Sequence, residues 1–167
     1  PIVHAVPPPD RPDLADEARD EEQHRAMEAW DMLAGRVAPE LGGSPEILDI
    51  VGVNVYHYSQ VQLDADKKRE ILGPRDPRRK PLSELLKFAW DRYHRPIIIG
   101  ETSGFQENRA EWLRMTMEES LKAINAGVDL HGVCLYPFVD VPDWWTQKWA
   151  KIGIYDVADK DSFERVP

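Results

Sequence analysis

The sequence predicts an α/β protein built on a parallel sheet, and three observations carry that prediction. Residues 48–56, 95–101 and 132–138 are apolar, β-branched segments too nonpolar to face water on either side, the composition of strands covered on both faces. Stretches with helical spacing lie between them, so the order reads strand, helix, strand, helix, strand, helix, strand when residues 2–6 are added at the start. Finally, the three strong strands end in polar residues: Asn54 and Tyr56, then Glu101, then Tyr136 and Asp140.

Each element has its own justification. Ile2-Val3-His4-Ala5-Val6 is a weaker strand candidate, closed by Pro7-Pro8-Pro9, which supplies no backbone donors and must be a surface connection. Residues 13–34 are rich in Ala, Glu, Asp and Arg, with Leu14, Ala18, Met27, Trp30, Leu33 and Ala34 at helical spacing, and read as one long helix ended by Gly35 and Pro39. Ser44 and Pro45 suit the N-cap and first position of a short helical turn. Residues 60–80 are charged and carry Gly73-Pro74 and Asp76-Pro77, so a long loop is expected. Leu82, Leu85, Leu86, Ala89 and Tyr93 form the stripe of an amphipathic helix. Asn108 with Glu111 opens another helix through Ala126, with Trp112, Met115 and Leu121 inward and Gly127 at its C-cap.

Among parallel sheets, a doubly wound nucleotide fold needs a glycine-rich turn after its first strand, and neither GxGxxG nor GxxxxGK[ST] occurs. A (β/α) barrel instead gathers its working groups at the C-terminal ends of strands, as these polar residues are gathered. Eight strands take about 250 residues. The 167 residues here supply about half, so the expected fold is a parallel (β/α) half barrel, part of a TIM (β/α)8 barrel, occupying residues 1–167 as one domain.

Composition narrows the function. With 21 basic against 30 acidic side chains the net charge is -9, leaving no basic surplus to neutralise nucleic-acid phosphates. Hydrophobic residues at 42% and charged ones at 31% suit a soluble chain able to bury a core. Apolar runs fall far short of the roughly 20 residues that cross a bilayer. No signal peptide or initiator Met opens the sequence, which points to processing, cloning or a longer parent, and a cytoplasmic location is expected. The single Cys134 excludes a disulfide framework and is expected to be buried and inert in its strand. The five histidines show no paired metal spacing, so no metal and no cofactor is expected.

Glu101 follows Ile97-Ile98-Ile99-Gly100 directly, which places a carboxylate where an apolar strand surfaces. Such a group attacks a sugar's anomeric carbon if a second carboxyl lies about 5 Å away, or serves a water-mediated inversion at about 6.5 to 9.5 Å. The plain alternative is a strand-end Glu that caps the next loop.

Residues 49–56 (DIVGVNVY), 96–104 (PIIIGETSG) and 132–140 (GVCLYPFVD), continuing to Asp143-Trp144, together resemble the sixth, seventh and eighth strands of β-glucosidase-like glycoside hydrolases. These are TIM barrels of a retaining clan with glutamates at the ends of strands four and seven. The similarity runs over about residues 27–156. By this resemblance Glu101 matches the nucleophile and Tyr56 a tyrosine that hydrogen-bonds it and keeps it ionised. Asn54 matches a polar pocket residue, and Asp143 and Trp144 match groups that bind sugar hydroxyls and stack on a pyranose, with Tyr136 and Asp140 in the same segment. For Tyr56 the structural alternative is a core tyrosine, and for Asn54 a residue satisfying a loop. Trp145 and Trp149 would extend a sugar platform or mark a covered patch. His57 and Tyr58 lie beside Tyr56, with loop packing as their ordinary role.

The sequence departs from the family where its Trp becomes Tyr136 and its Glu becomes Asp143, so sugar preference does not transfer. It also contains no Asn-Glu-Pro, the family's acid/base motif. Without a general acid about 10²- to 10⁴-fold in rate is forfeited, so the chain alone is expected to be inactive. The expected partners are a carbohydrate substrate and either a missing N-terminal half barrel or a second copy, with no nucleic acid and no membrane. The alternatives are a non-catalytic carbohydrate-binding or scaffold half barrel and a different enzyme in which Glu101 is a base.

Overall fold

The computed structural model describes residues 2–66, 68–143, 146–159 and 164–166. After β1 (His4–Val6) the chain passes through a 3-10 turn at Pro12–Leu14, α1 (Ala15–Asp20), a π-helical turn at Glu21–Arg25 and α2 (Glu28–Leu33). The single helix expected over residues 13–34 is therefore interrupted. Its two ends serve different clusters: Ala18 packs with Val3, Ala5, Val61 and Leu63, whereas Met27 joins the main core. One uninterrupted period keeps one apolar stripe, and the wide turn re-phases it. Residues 45–47 after Ser44 make a hydrogen-bonded turn rather than a helix.

β2 (Val51–Val55), β3 (Gln60–Leu63), β4 (Arg69–Ile71), α3 (Leu82–Tyr93), β5 (Ile97–Thr102), α4 (Arg109–Asn125) and β6 (Leu130–Leu135) follow. β2, β5 and β6 form one parallel sheet with β5 in the middle, and these are the three apolar segments named from sequence. Residues 60–80 are not simply a loop, because β3 and β4 form an antiparallel pair within them. Val61 and Leu63 alternate inward on β3, a signal too short to stand out against the surrounding charge. β1 is a strand as expected, yet it pairs in parallel with β3 rather than joining the main sheet. Ile2, just before it, donates its N–H to the Asn54 carbonyl at the end of β2, at 3.3 Å.

The main core lies between the parallel sheet and the two long helices. Val51, Val53, Ile97 and Ile99 are fully buried against Leu85, Leu86 and Ala89 of α3 and Ala123 of α4. Each such side chain stabilises the fold by about 1.5–3 kcal/mol relative to exposure. α3 matches the expected stripe, and Gly127 takes the left-handed conformation after α4, with φ +89°. The other expectations for α4 hold only in part: Trp112 packs against the core as expected. Asn108 makes no side-chain cap hydrogen bond, and Leu121 is 60% exposed because the buried face runs through Thr116, Glu119, Ser120 and Ala123.

β6 departs further from its expected two-sided cover. His131, Gly132 and Cys134 are exposed, so the Cys134 thiol is accessible rather than buried. β5 covers one edge of this strand, and among the described strands none pairs with the other. Beyond it come the two-stranded ribbon of β7 (Val141–Pro142) and β8 (Trp149–Ala150), then β9 (Asp156–Asp159) with β10 (Glu164–Val166). The described strands do not close into a barrel; the parallel sheet and its helices fit part of one. No described helix is long and apolar enough to cross a membrane.

Candidate active site

A one-residue irregularity in β5 aims the candidate nucleophile. Ile97 and Ile99 point toward the helices, as do Val51, Val53 and Val55 of β2. Strict alternation would send residue 101 the same way, into the core. Val53 is instead paired with Ile99 and Asn54 with Glu101, leaving Gly100 as the extra residue of a bulge. The alternation is thereby reversed. Thr102 takes the helix-facing place, fully buried, where its hydroxyl accepts the Trp112 indole N–H at 2.8 Å. Glu101 turns to the opposite face, the one carrying Asn54 and Tyr56. A Cβ at position 100 would lie 3.2 Å from Asn54 Oδ1, close enough that the Asn54 side chain would have to shift by a few tenths of an ångström.

Tyr56 continues β2 in extended backbone and donates its hydroxyl to Glu101 Oε2 at 3.1 Å. The same hydroxyl lies 3.4 Å from the Tyr136 carbonyl oxygen. Burial, then the charge of Glu101 and the hydrogen bond to it, raises the Tyr56 pKa well above the ordinary phenol value. Tyr56 is therefore a fixed donor at any physiological pH. Its backbone is anchored as well, with its N–H donated to Ser59 Oγ at 3.0 Å. A half-buried carboxylate held by a phenol at the end of a parallel strand has the geometry to serve as a nucleophile or a base.

The remaining residues divide. Asn54 and Tyr136 belong to this cluster, Asn54 over Gly100 and Tyr136 46% exposed with its N–H on the Thr102 carbonyl at 3.1 Å. Asp140 does not open into the mouth. It is 1% exposed, and its Oδ1 accepts the N–H groups of Ile152 and Gly153 at 3.0 and 2.8 Å. Burial, with help from neighbouring Asp156, pushes its pKa up. Asp143 accepts the Thr146 N–H at 2.6 Å, shaping the turn between β7 and β8. Trp144 and Trp145 lie outside the described residues, and Trp149 is half-buried on β8. Among the described residues no group of three or more His, Cys, Asp and Glu is placed to hold a metal ion.

An aromatic row at the mouth had little sequence signal. Tyr58 stacks on Tyr56 with centroids 5.0 Å apart, His57 meets Tyr58 edge-on at 5.1 Å, and Phe105 meets His57 edge-on at 4.8 Å. Gly104 permits Phe105 its place, since a Cβ there would sit 2.7 Å from Trp112 Cβ and 2.8 Å from Arg109 Cα. The dipeptide Gly104-Phe105 was the available clue.

No family model and no curated protein matches the chain. Solved structures do. A β-glucosidase from Thermotoga maritima in complex with glucoimidazole superposes with a TM-score of 0.70 at 20% identity, over 98% of this chain and 46% of that one. The hyperthermophilic β-glucosidase from Pyrococcus furiosus gives 0.69 at 20% identity, over 98% of this chain and 37% of that one. The chain thus spans less than half the length of these structures, and at such identity the likeness is one of fold. This protein has the fold of part of a β-glucosidase.

Proposed function

We propose that the chain is the nucleophile-bearing C-terminal half of a retaining β-glycosidase barrel, with Glu101 as nucleophile and Tyr56 as the donor that orients it. The observation that carries this reading is the 3.1 Å hydrogen bond from the Tyr56 hydroxyl to Glu101 Oε2, at the C-terminal ends of adjacent parallel strands. In the first step a Glu101 oxygen attacks the anomeric carbon, the bond to the leaving oxygen breaks, and its electron pair departs with that oxygen. An ester on Glu101 results, which water then cleaves. The proton donor for natural leaving groups comes from the other half, because this sequence has no Asn-Glu-Pro. That half also covers the outer edge of β6 and the exposed Met117, Leu121 and Ile124 on the flank of α4.

A leaving group that needs no proton tests Glu101 in the chain as it stands. A 2,4-dinitrophenyl 2-deoxy-2-fluoro-β-glucoside should esterify Glu101, read as a mass increment on the peptide that carries it. Glu101→Gln should lower the rate by at least about 10³-fold. Tyr56→Phe should lower it about 10- to 100-fold, the worth of a hydrogen bond to a charged group. An unlabelled Glu101 would favour the non-catalytic binding or scaffold half barrel. In solution the open edge should draw a second copy, so size-exclusion chromatography should give a particle of twice the chain mass; a stable monomer counts against this part.

A further inference from the structure

At the N-terminal ends of β2 and β5, away from Glu101, three connections meet around a small hollow. The end of α2 and the loop after it supply Ala34 and Arg36, the turn before β2 supplies Pro45 and Leu48, and the junction of α3 with β5 supplies Tyr93 and Arg95. The hollow measures about 50 Å³, room for a few waters or one small polyatomic ion. Its walls are held by the backbone. Ser44 donates its N–H to the Leu33 carbonyl at 2.9 Å, and a Cβ at Gly43 would sit 1.9 Å from the Met32 carbonyl oxygen, so the loop folds back tightly on the end of α2. Val51 donates its N–H to the Pro96 carbonyl at 2.9 Å, joining the other two connections.

The two arginines of this hollow differ from most others in the chain. Arg92, Arg78 and Arg69 answer the carboxylates of Asp31, Asp76 and Glu21. Among the described residues no carboxylate lies within 4.0 Å of the Arg36 or Arg95 guanidinium. Arg36 donates Nη2 to the Arg92 carbonyl and lies 5.5 Å over the Tyr93 ring, while Arg95 donates Nη2 to the Pro45 carbonyl at 2.8 Å. These bonds use one of the five N–H donors on each group. Nearby carboxylates are already engaged. Asp31 accepts from Arg92 and from the Tyr93 hydroxyl, and the Glu46 pKa is lowered first by a hydrogen bond from Ser44 and only last by the charge of Arg95. Capping a carbonyl accounts for one donor on each arginine. It does not account for two like charges converging on one hollow in a chain of net charge -9, an arrangement that costs energy unless an anion lies between them.

We propose that the hollow between Arg36 and Arg95 binds one tetrahedral oxyanion of the phosphate class. A guanidinium fork matches a pair of phosphate oxygens, and two forks on separate connections grip one anion from two sides. Leu48 and the Tyr93 ring supply the apolar back wall. The bound ion ties together the end of α2, the entry to β2 and the entry to β5. This site stands apart from the glycosidase reading, because no residue of it touches Glu101 or Tyr56.

The test is a titration of the whole chain with inorganic phosphate, followed by two-dimensional proton–nitrogen NMR at constant ionic strength, so that general screening is held fixed. The amides of Arg36, Leu48 and Arg95 should shift together along one saturating curve with a midpoint on the order of 1 mM. Arg36→Ala and Arg95→Ala should each raise that midpoint about 10- to 100-fold, the worth of hydrogen bonds between charged groups. The lysine variants at both positions should raise it less, since a point charge remains, and they replace any alanine variant whose spectrum shows it unfolded. Arg75→Ala, at an exposed arginine outside the hollow, should leave the midpoint unchanged. Methyl phosphate with the same midpoint assigns the site to the phosphate group of a larger molecule; a higher midpoint assigns it to the free ion. Shifts that grow without saturating, or that weaken equally in Arg75→Ala and Arg95→Ala, overturn the proposal.

Discussion

β5 and β6 are neighbours in one parallel sheet, similar in length and both mostly apolar, yet they end in different environments. Ile97 and Ile99 of β5 are fully buried, while β6 has His131, Gly132 and Cys134 exposed. β5 has a paired strand on each edge and a helix layer over one face; β6 has a partner on one edge. The contrast teaches that an apolar strand states a need for cover without saying whether the same chain meets it. It also marks the edge of β6 that no described strand covers, beside the exposed flank of α4.

The comparison can be broken by substitutions measured through urea unfolding. Ile99→Ala on the covered strand should cost about 3 kcal/mol, whereas Cys134→Ser on its neighbour should stay within about 0.5 kcal/mol. Equal effects would mean that β6 is covered in solution. Asp31→Ala, also on the covered side, should cost about 2 kcal/mol. Asp31 is 2% exposed and accepts from Arg92 Nε at 3.0 Å and from the Tyr93 hydroxyl at 2.9 Å; its loss removes the carboxylate from Arg92 and leaves the Tyr93 hydroxyl only the Met27 carbonyl at 3.5 Å.

Two carboxylates sharpen the comparison through pH. Asp140, on the open side, has a raised pKa, so its charged form is disfavoured by folding. Its contribution is present below the ordinary value of 3.8 and is lost as the pH rises through the higher folded value. Asp140→Asn should remove that loss and raise stability at pH 7 by a few tenths to about 1 kcal/mol, because the Asn oxygen still accepts the Ile152 and Gly153 N–H groups. Glu119, on the covered side of α4, behaves oppositely. Burial pushes its pKa up, but hydrogen bonds from Lys122 and Ser83 outweigh that and lower it. Its contribution is present above the ordinary value of 4.5 and lost as the pH falls through the lower folded value. Glu119→Gln should therefore cost about 0.5 to 1 kcal/mol at pH 7 and less in acid. Smallest of all, Leu121→Ser on the exposed flank should change stability by less than about 0.5 kcal/mol while weakening any self-association.

Much of this molecule was readable in advance, and the failures have physical causes. The three parallel strands are legible as apolar, β-branched runs, α3 as an amphipathic stripe, and Gly127 as a C-cap. The breaks in the residue 13–34 helix and the pairing of β1 with β3 depend on which of two clusters each side chain joins, a matter of distant partners. Cys134 is exposed against expectation because an apolar neighbourhood in sequence implies burial only when something lies against it.

The sequence by itself determined the residue types at the strand ends, the alternation of strand and helix, and the lack of an Asn-Glu-Pro partner for Glu101. Only the tertiary structure decided where those strand-end groups point. By period two Glu101 shares the parity of Ile97 and Ile99 and belongs in the core; the bulge at Gly100 shifts the register against β2 by one residue and turns it to face Tyr56. Side chains alternate with a period of two, so one inserted residue reverses every face beyond it, and the pairing of two strands, not either strand alone, decides where that residue goes.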